Sequence, residues 1–267
     1  MTAGRVLASL TAVSAVAGCL VAVAALQQSG DRGQDTSAAR HSGVTVSSVS
    51  NVSAVVRTPT PVRGIALPLK YRTGNATRVI TVTGVSRGRT TAHLQAWYKA
   101  PGGGWLKYGK GMTAHIGSQG MSPTPSEGAS ATPMGSFTLT QAFGRNADPG
   151  TSLPYFRTRP SDWWISQAGP LYNTHQRCAS HCAFKQSMPP NEHLYYETPY
   201  YNYAVVIDYN TRNAPGGVRQ GAGSAFFLHV TDGYPTAGCV AIPQKRLVTL
   251  MRWLRPATHP RILIGVR

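Results

Sequence analysis

A chain of 267 residues, 42% hydrophobic and only 13% charged, can bury a sizeable core, and its 28 Gly and 19 Pro favour short strands and turns over long helices. Twenty-six Lys and Arg against nine Asp and Glu leave a net charge of +17, which points to an anionic partner surface. The charges are scattered singly (Arg57, Arg63, Arg72, Arg78, Arg87, Arg89, Lys107, Lys110) with no zinc-finger, basic-zipper or RNA-recognition signature. No nucleic-acid partner is therefore expected, and an anionic cell-envelope polymer or membrane surface fits the same charge.

Met1–Arg5 is a short positive start, and Val6–Leu26 is an uncharged run rich in Ala and Val that ends at Gln27-Gln28-Ser29. The run is long for a signal-peptide core and just long enough to span a bilayer. Residues 1–27 are expected to be a signal peptide or membrane anchor. Cleavage after Ala22-Val23-Ala24, retention, and lipidation at Cys19 all remain open, and all export the rest of the chain to the periplasmic or cell-wall space or beyond. Residues 28–63, rich in Ser, Thr, Val and Arg without lasting periodicity, read as a flexible linker.

From Gly64 the strand signals are dense. Thr77–Thr83 and Ala92–Tyr98 alternate, and the Pro101-Gly102-Gly103-Gly104 turn joins the second run to Trp105–Tyr108 as a hairpin. Further strands are expected at Met112–Ile116, Ser136–Ala142, Ala204–Tyr209, Ala225–Val230 and Arg261–Val266. One helix is expected at Pro243–Leu254, where Leu247, Leu250, Met251 and Leu254 recur at helical spacing and Pro256 stops the run. Between Asp148 and Tyr203 lies an aromatic-rich insertion (Trp163, Trp164, Tyr172, Phe184, Tyr195, Tyr196, Tyr200, Tyr201) whose rings fit packing better than a substrate platform. The expected fold is one mainly-β domain over residues 64–267 with a helix near its C-terminus.

With Cys19 in the targeting segment, an oxidising compartment favours a disulfide between Cys178 and Cys182, four apart in Cys-Ala-Ser-His-Cys. His175 and His181 beside them are zinc-ligand types, but compartment favours the disulfide, and no metal is expected. Cys239 is left over. Phe226–Val230 is an apolar strand carrying His229, a Gly/Pro turn follows, and Thr236-Ala237-Gly238-Cys239 opens the next segment. Such a turn can bring His229 towards Cys239, where an imidazole could generate a nucleophilic thiolate and amides near Gly238 could face a developing oxyanion. Thr231 or Asp232 could orient His229. The same residues equally fit a small buried cysteine and a core histidine with its hydrogen bonds satisfied.

Two ordered motifs carry a resemblance. Thr236-Ala237-Gly238-Cys239-Val240 preceded by His229, with Thr132-Pro133-Met134-Gly135-Ser136-Phe137 upstream, resembles the YkuD-type L,D-transpeptidases, in particular a short-loop actinobacterial-type branch. Ala237 stands where the usual family motif carries His. The resemblance implies a β-sandwich or barrel catalytic domain with a C-terminal helix, here with the aromatic-rich insertion. It implies Cys239 as nucleophile, His229 as general base and acid, the Gly238 backbone at the oxyanion, and Thr236 supporting the motif. The implied substrates are peptidoglycan tetrapeptide stems, joined 3→3 through an acyl-enzyme with no cofactor. Transfer to water would make an L,D-carboxypeptidase, and loss of turnover a non-catalytic wall-binding protein.

Overall fold

The computed structural model describes residues 60–267; the expected export segment, Cys19 and the linker as far as residue 59 lie outside them. Strands β1 (Arg78–Gly84), β2 (Thr91–Lys99) and β3 (Trp105–His115) form an antiparallel meander. Short strands follow: β4 (Met121–Ser122), β5 (Thr132–Pro133), β6 (Gly135–Thr138), β7 (Ala142–Gly144) and β8 (Tyr155–Arg157). The insertion contributes β9 (Asp162–Ile165), β10 (Thr174–Arg177) and β11 (Glu192–His193). The chain returns through β12 (Ala204–Val206), β13 (Phe227–Val230), β14 (Val240–Ile242), helix α1 (Gln244–Trp253) and β15 (Arg261–Val266).

Ten strands form one mixed sheet, in the order β6-β15-β1-β2-β3-β14-β13-β12-β7-β8, curled into a half-barrel. Connectivity demands the curl. β6 lies at one edge and β7 beside the other, yet only Leu139-Thr140-Gln141 separates them in the chain, so the two ends of the sheet must approach each other. The buried Asp208 carboxylate closes that seam, accepting hydrogen bonds from the hydroxyls of Thr138 (2.7 Å), Thr140 (2.9 Å) and Thr211 (3.0 Å). The single strand expected over Ser136–Ala142 is therefore two strands serving opposite ends of one sheet.

The period-2 alternation of each strand sets which face it buries. Ile80 and Val82 of β1, Leu94 and Ala96 of β2, and Ile262 and Ile264 of β15 enter the main core with Leu247, Leu250, Met251 and Trp253 of α1. Val79, Trp97 and Leu263 point the other way and are covered by Leu69 and Ala76 of the segment that leads into β1. The two strands expected at Trp105–Tyr108 and Met112–Ile116 are one. β2 and β3 slip register between Leu94 and Ala96, and Gln95 fills the irregularity by donating to the carbonyls of Ala96 (2.8 Å), Tyr108 (3.2 Å) and Gly109 (3.3 Å). Gly109, at φ 61°, lets the strand pass through the bulge.

The insertion is more ordered than its sequence suggests. β10, β9 and β11 form a three-stranded sheet in that order. Alternation along Asp162-Trp163-Trp164-Ile165 sends Trp163 and Ile165 into a small core with Phe184, packed by Cys178 and Cys182, while Trp164 faces the large sheet. Cys178 and Cys182 are disulfide-bonded (S–S 2.05 Å). His175 turns away from them to the buried Asp162 carboxylate (2.8 Å), which also takes Arg177 (2.8 Å). Among the described residues no helix is long and apolar enough to cross a membrane.

Candidate active site

β13 and β14 are parallel neighbours, with Leu228 opposite Val240 and His229 opposite Ala241. Leu228, Val230, Val240 and Ile242 fill the main core, so alternation turns Phe227, His229, Cys239 and Ala241 to the opposite face, towards the insertion. That register brings His229 and Cys239 to one face. Between them, Thr231–Cys239 is a crossover pinned to the end of β3: the Thr236 amide donates to Ile116 O (2.9 Å), and the Ser118 amide donates to Thr236 O (2.8 Å).

The two motifs of the sequence meet at the Cys239 backbone. The Thr236 hydroxyl donates to Cys239 O (2.7 Å) and accepts the Gly238 amide (3.1 Å). Thr132, fully buried, donates to the same carbonyl at 3.5 Å and accepts the Gly117 amide at 2.8 Å. Gly238 sits at φ 133°, and a Cβ there would lie 2.7 Å from the Phe226 ring. Only glycine fits. The Gly238 amide, expected at the oxyanion, is engaged by Thr236, whereas the Cys239 amide has no acceptor among the described residues.

Cys239 is 7% exposed. Its Sγ accepts the Phe227 amide (3.3 Å) and donates to Ala225 O (3.3 Å). The Ala225 amide is in turn held by Asn173, whose side chain also takes the Trp164 indole N–H (2.8 Å), so the insertion fixes the backbone that holds the sulfur. No hydrogen bond joins Cys239 to His229 among the described residues. The His229 Nδ1 lies 2.8 Å from Val230 O; because a carbonyl only accepts, Nδ1 carries the proton and Nε2 the lone pair. Neither Thr231 nor Asp232 orients His229: Thr231 pairs with His115 (2.8 Å), and Asp232 accepts the Tyr200 hydroxyl (2.9 Å).

Burial dominates the electrostatics. It lowers the His229 pKa to about 4, leaving the imidazole neutral at pH 7. Burial, and after it the Glu192 carboxylate, push the Cys239 thiol well up, so the resting pair is neutral thiol and neutral imidazole. Glu192 itself is raised to about 7 by burial, against the pull of its hydrogen bond from Tyr201.

Cys239, His229, Thr236 and Ala237 line a cavity of about 590 Å³. Glu127, Glu192, Glu197 and Asp232 also line it, and among the described residues no Lys or Arg does. Tyrosines of the insertion hold three of these carboxylates: Tyr172 donates to Glu127, Tyr201 to Glu192 and Tyr200 to Asp232. Sequence reasoning named neither Glu127, Glu192 nor Glu197. The available signal was scarcity: in a chain with nine acidic residues, each one invites an explanation. Tyr200 and Tyr201 leave the pure packing role expected of the insertion, their rings meeting His229 edge-on at 6.0 and 5.6 Å.

A family model described as the YkuD L,D-transpeptidase catalytic domain matches residues 89–264, a span that includes both motifs. No curated protein and no solved structure matches the chain.

Proposed function

Since the chain belongs to the YkuD family of L,D-transpeptidase catalytic domains, which acts on peptidoglycan peptide stems, we propose that it is an exported enzyme that joins tetrapeptide stems 3→3 through an acyl-Cys239 intermediate. The observation that carries this reading is the shared face of His229 on β13 and Cys239 immediately before its parallel neighbour β14, open to one cavity. With its Nδ1 proton committed to Val230 O, His229 offers Nε2 as the base. Because both groups rest neutral, the thiol gives up its proton as it attacks rather than waiting as an ion pair.

In the proposed reaction, Cys239 attacks the carbonyl between the third and fourth stem residues, and the tetrahedral oxyanion takes the Cys239 amide. Protonated His229 then passes the proton to the departing D-alanine amine. Gly238 and Thr236 act by shaping the turn: the Thr236 hydroxyl engages the Gly238 amide and the Cys239 carbonyl, which keeps the Cys239 N–H turned free. The resulting thioester is taken by the third-residue amine of a second stem. Water in its place would give the L,D-carboxypeptidase, and the unpaired basic surface would hold the enzyme to anionic envelope polymers.

Purified protein incubated with tetrapeptide muropeptides separates the readings. Free D-alanine together with 3→3 dimers is the expected result. D-Alanine with only tripeptide monomers would mean a carboxypeptidase, and binding without release of D-alanine a non-catalytic wall protein.

A further inference from the structure

We propose that Glu192 is the acceptor-amine residue of this cavity: it binds the ammonium group of the attacking stem and removes the proton that the amine must lose before it can attack. The inference rests on the acyl-enzyme reading above and names the part of the cavity that selects an amine over water.

Glu192 lies on β11, in the insertion and far in sequence from both motifs, yet it lines the same cavity as Cys239 and His229. Its position is built. The carboxylate accepts the Tyr201 hydroxyl, and the Tyr201 ring packs edge-on against His229 at 5.6 Å and Phe227 at 5.4 Å. Phe227 supplies the amide that holds the Cys239 sulfur. Carboxylate, imidazole and thiol are thus tied to one aromatic cluster.

The charge pattern points to a cationic group from outside. The chain carries 26 Lys and Arg, yet among the described residues the one ion pair that any of them makes is Arg177 with Asp162, and none reaches the cavity carboxylates. Four carboxylates without a Lys or Arg beside them among the described residues give the cavity a field opposite to the net charge of the chain. Three of the four are less suited to proton transfer at the thioester. Glu127 is exposed and shared between Tyr172 and Ser224; Asp232 is exposed, bound by Tyr200 and the Tyr234 amide; and no tyrosine holds Glu197. Glu192 is the carboxylate whose charge the Cys239 thiol feels, and with a pKa of about 7 it can both bind an ammonium group and keep a proton.

The step balances without any further reactant. The ammonium group passes one proton to the Glu192 carboxylate and becomes a free amine. The amine nitrogen forms a bond to the thioester carbonyl carbon, and the carbon–sulfur bond breaks with its electron pair going to sulfur. The second proton leaves nitrogen through His229 and restores the Cys239 thiol. Glu192 then releases its proton to solvent, so an ammonium and a thioester become an amide, a thiol and one proton.

The test is the fate of the acyl-enzyme in Glu192→Gln, which keeps the size of the side chain and an acceptor for the Tyr201 hydroxyl. The acyl adduct and its first-turnover burst of D-alanine should still form, while the ratio of cross-linked to hydrolysed product falls on the order of 100-fold, the scale of a lost general base. Glu192→Asp should restore part of that ratio. A measurement on the unaltered enzyme stands beside it: a tripeptide acceptor with its side-chain amine acetylated should not compete with the free-amine acceptor. An unchanged product ratio in Glu192→Gln, or equal competition by the acetylated acceptor, would overturn this inference alone. Absence of any acyl adduct in the wild-type protein would overturn it together with the reading on which it rests.

Discussion

At the scale of single residues, the Cys239 turn is held by its neighbouring hydroxyls. Thr236 makes two hydrogen bonds across it, so Thr236→Val, which keeps the shape and removes the hydroxyl, should leave the Gly238 amide unpaired and the Cys239 carbonyl less constrained. The expected outcome is a fall of about tenfold or more in the rate of acyl adduct formation, consistent with about 1–3 kcal/mol for a buried unsatisfied polar group. Stopped-time mass spectrometry of the adduct checks it. Glu192 and His229 also predict a pH signature. The Glu192 pKa is raised in the fold to about 7 from its ordinary 4.5, so its stabilising contribution is complete below pH 4.5 and is lost as pH rises through 7. Glu192→Gln should therefore gain stability relative to wild type at pH 8 compared with pH 4.5, read as the difference in Tm. The His229 pKa is lowered to about 4 from 6.5, so its contribution is present above 6.5 and is lost as pH falls through 4. His229→Gln should accordingly flatten the acid side of the same Tm profile.

At the scale of elements, much of the architecture was legible because alternation and helical spacing are local signals. β1 and β2 fall within a residue or two of the expected runs, β15 matches the expected Arg261–Val266, and α1 fills the run from Pro243 with Pro243 itself as its cap. What the sequence hid is non-local. The split of β6 from β7 depends on Asp208 reaching back to Thr138 and Thr140 from a distant segment, and the pairing of β11 with β9 joins stretches separated by most of the insertion. The site divides the same way. Cys239 and His229 were visible as a motif, but their common face comes from a parallel register, and the Glu192 side of the cavity from a sheet without periodicity. Two substitutions test the supports. Asp208→Ala strands hydroxyls at the seam and should cost about 2–4 kcal/mol in denaturant unfolding. Leu247→Ala empties a fully buried position under β13 and should cost about 2–5 kcal/mol, with loss of activity only where the protein unfolds.

At the scale of the whole molecule, two opposite fields coexist. The chain as a whole carries +17, while the cavity around Cys239 gathers four of its nine acidic residues and, among the described residues, no Lys or Arg. In the reading proposed above, that division separates two tasks: a screened, long-range attraction to an anionic wall and a short-range selection of a cationic stem. Retention on isolated anionic cell-wall polymer should therefore fall steeply as salt rises from 0.05 to 0.5 M, the Debye length shrinking to a few ångströms, while adduct formation with a soluble muropeptide changes far less. Narrower than either field is the proposal that Cys239 carries the acyl group. Intact-protein mass spectrometry during turnover of a tetrapeptide muropeptide tests it most directly. One acyl adduct is expected, mapped to the peptide bearing Cys239 and absent from Cys239→Ala; the same adduct, or undiminished D-alanine release, in Cys239→Ala would overturn the proposal.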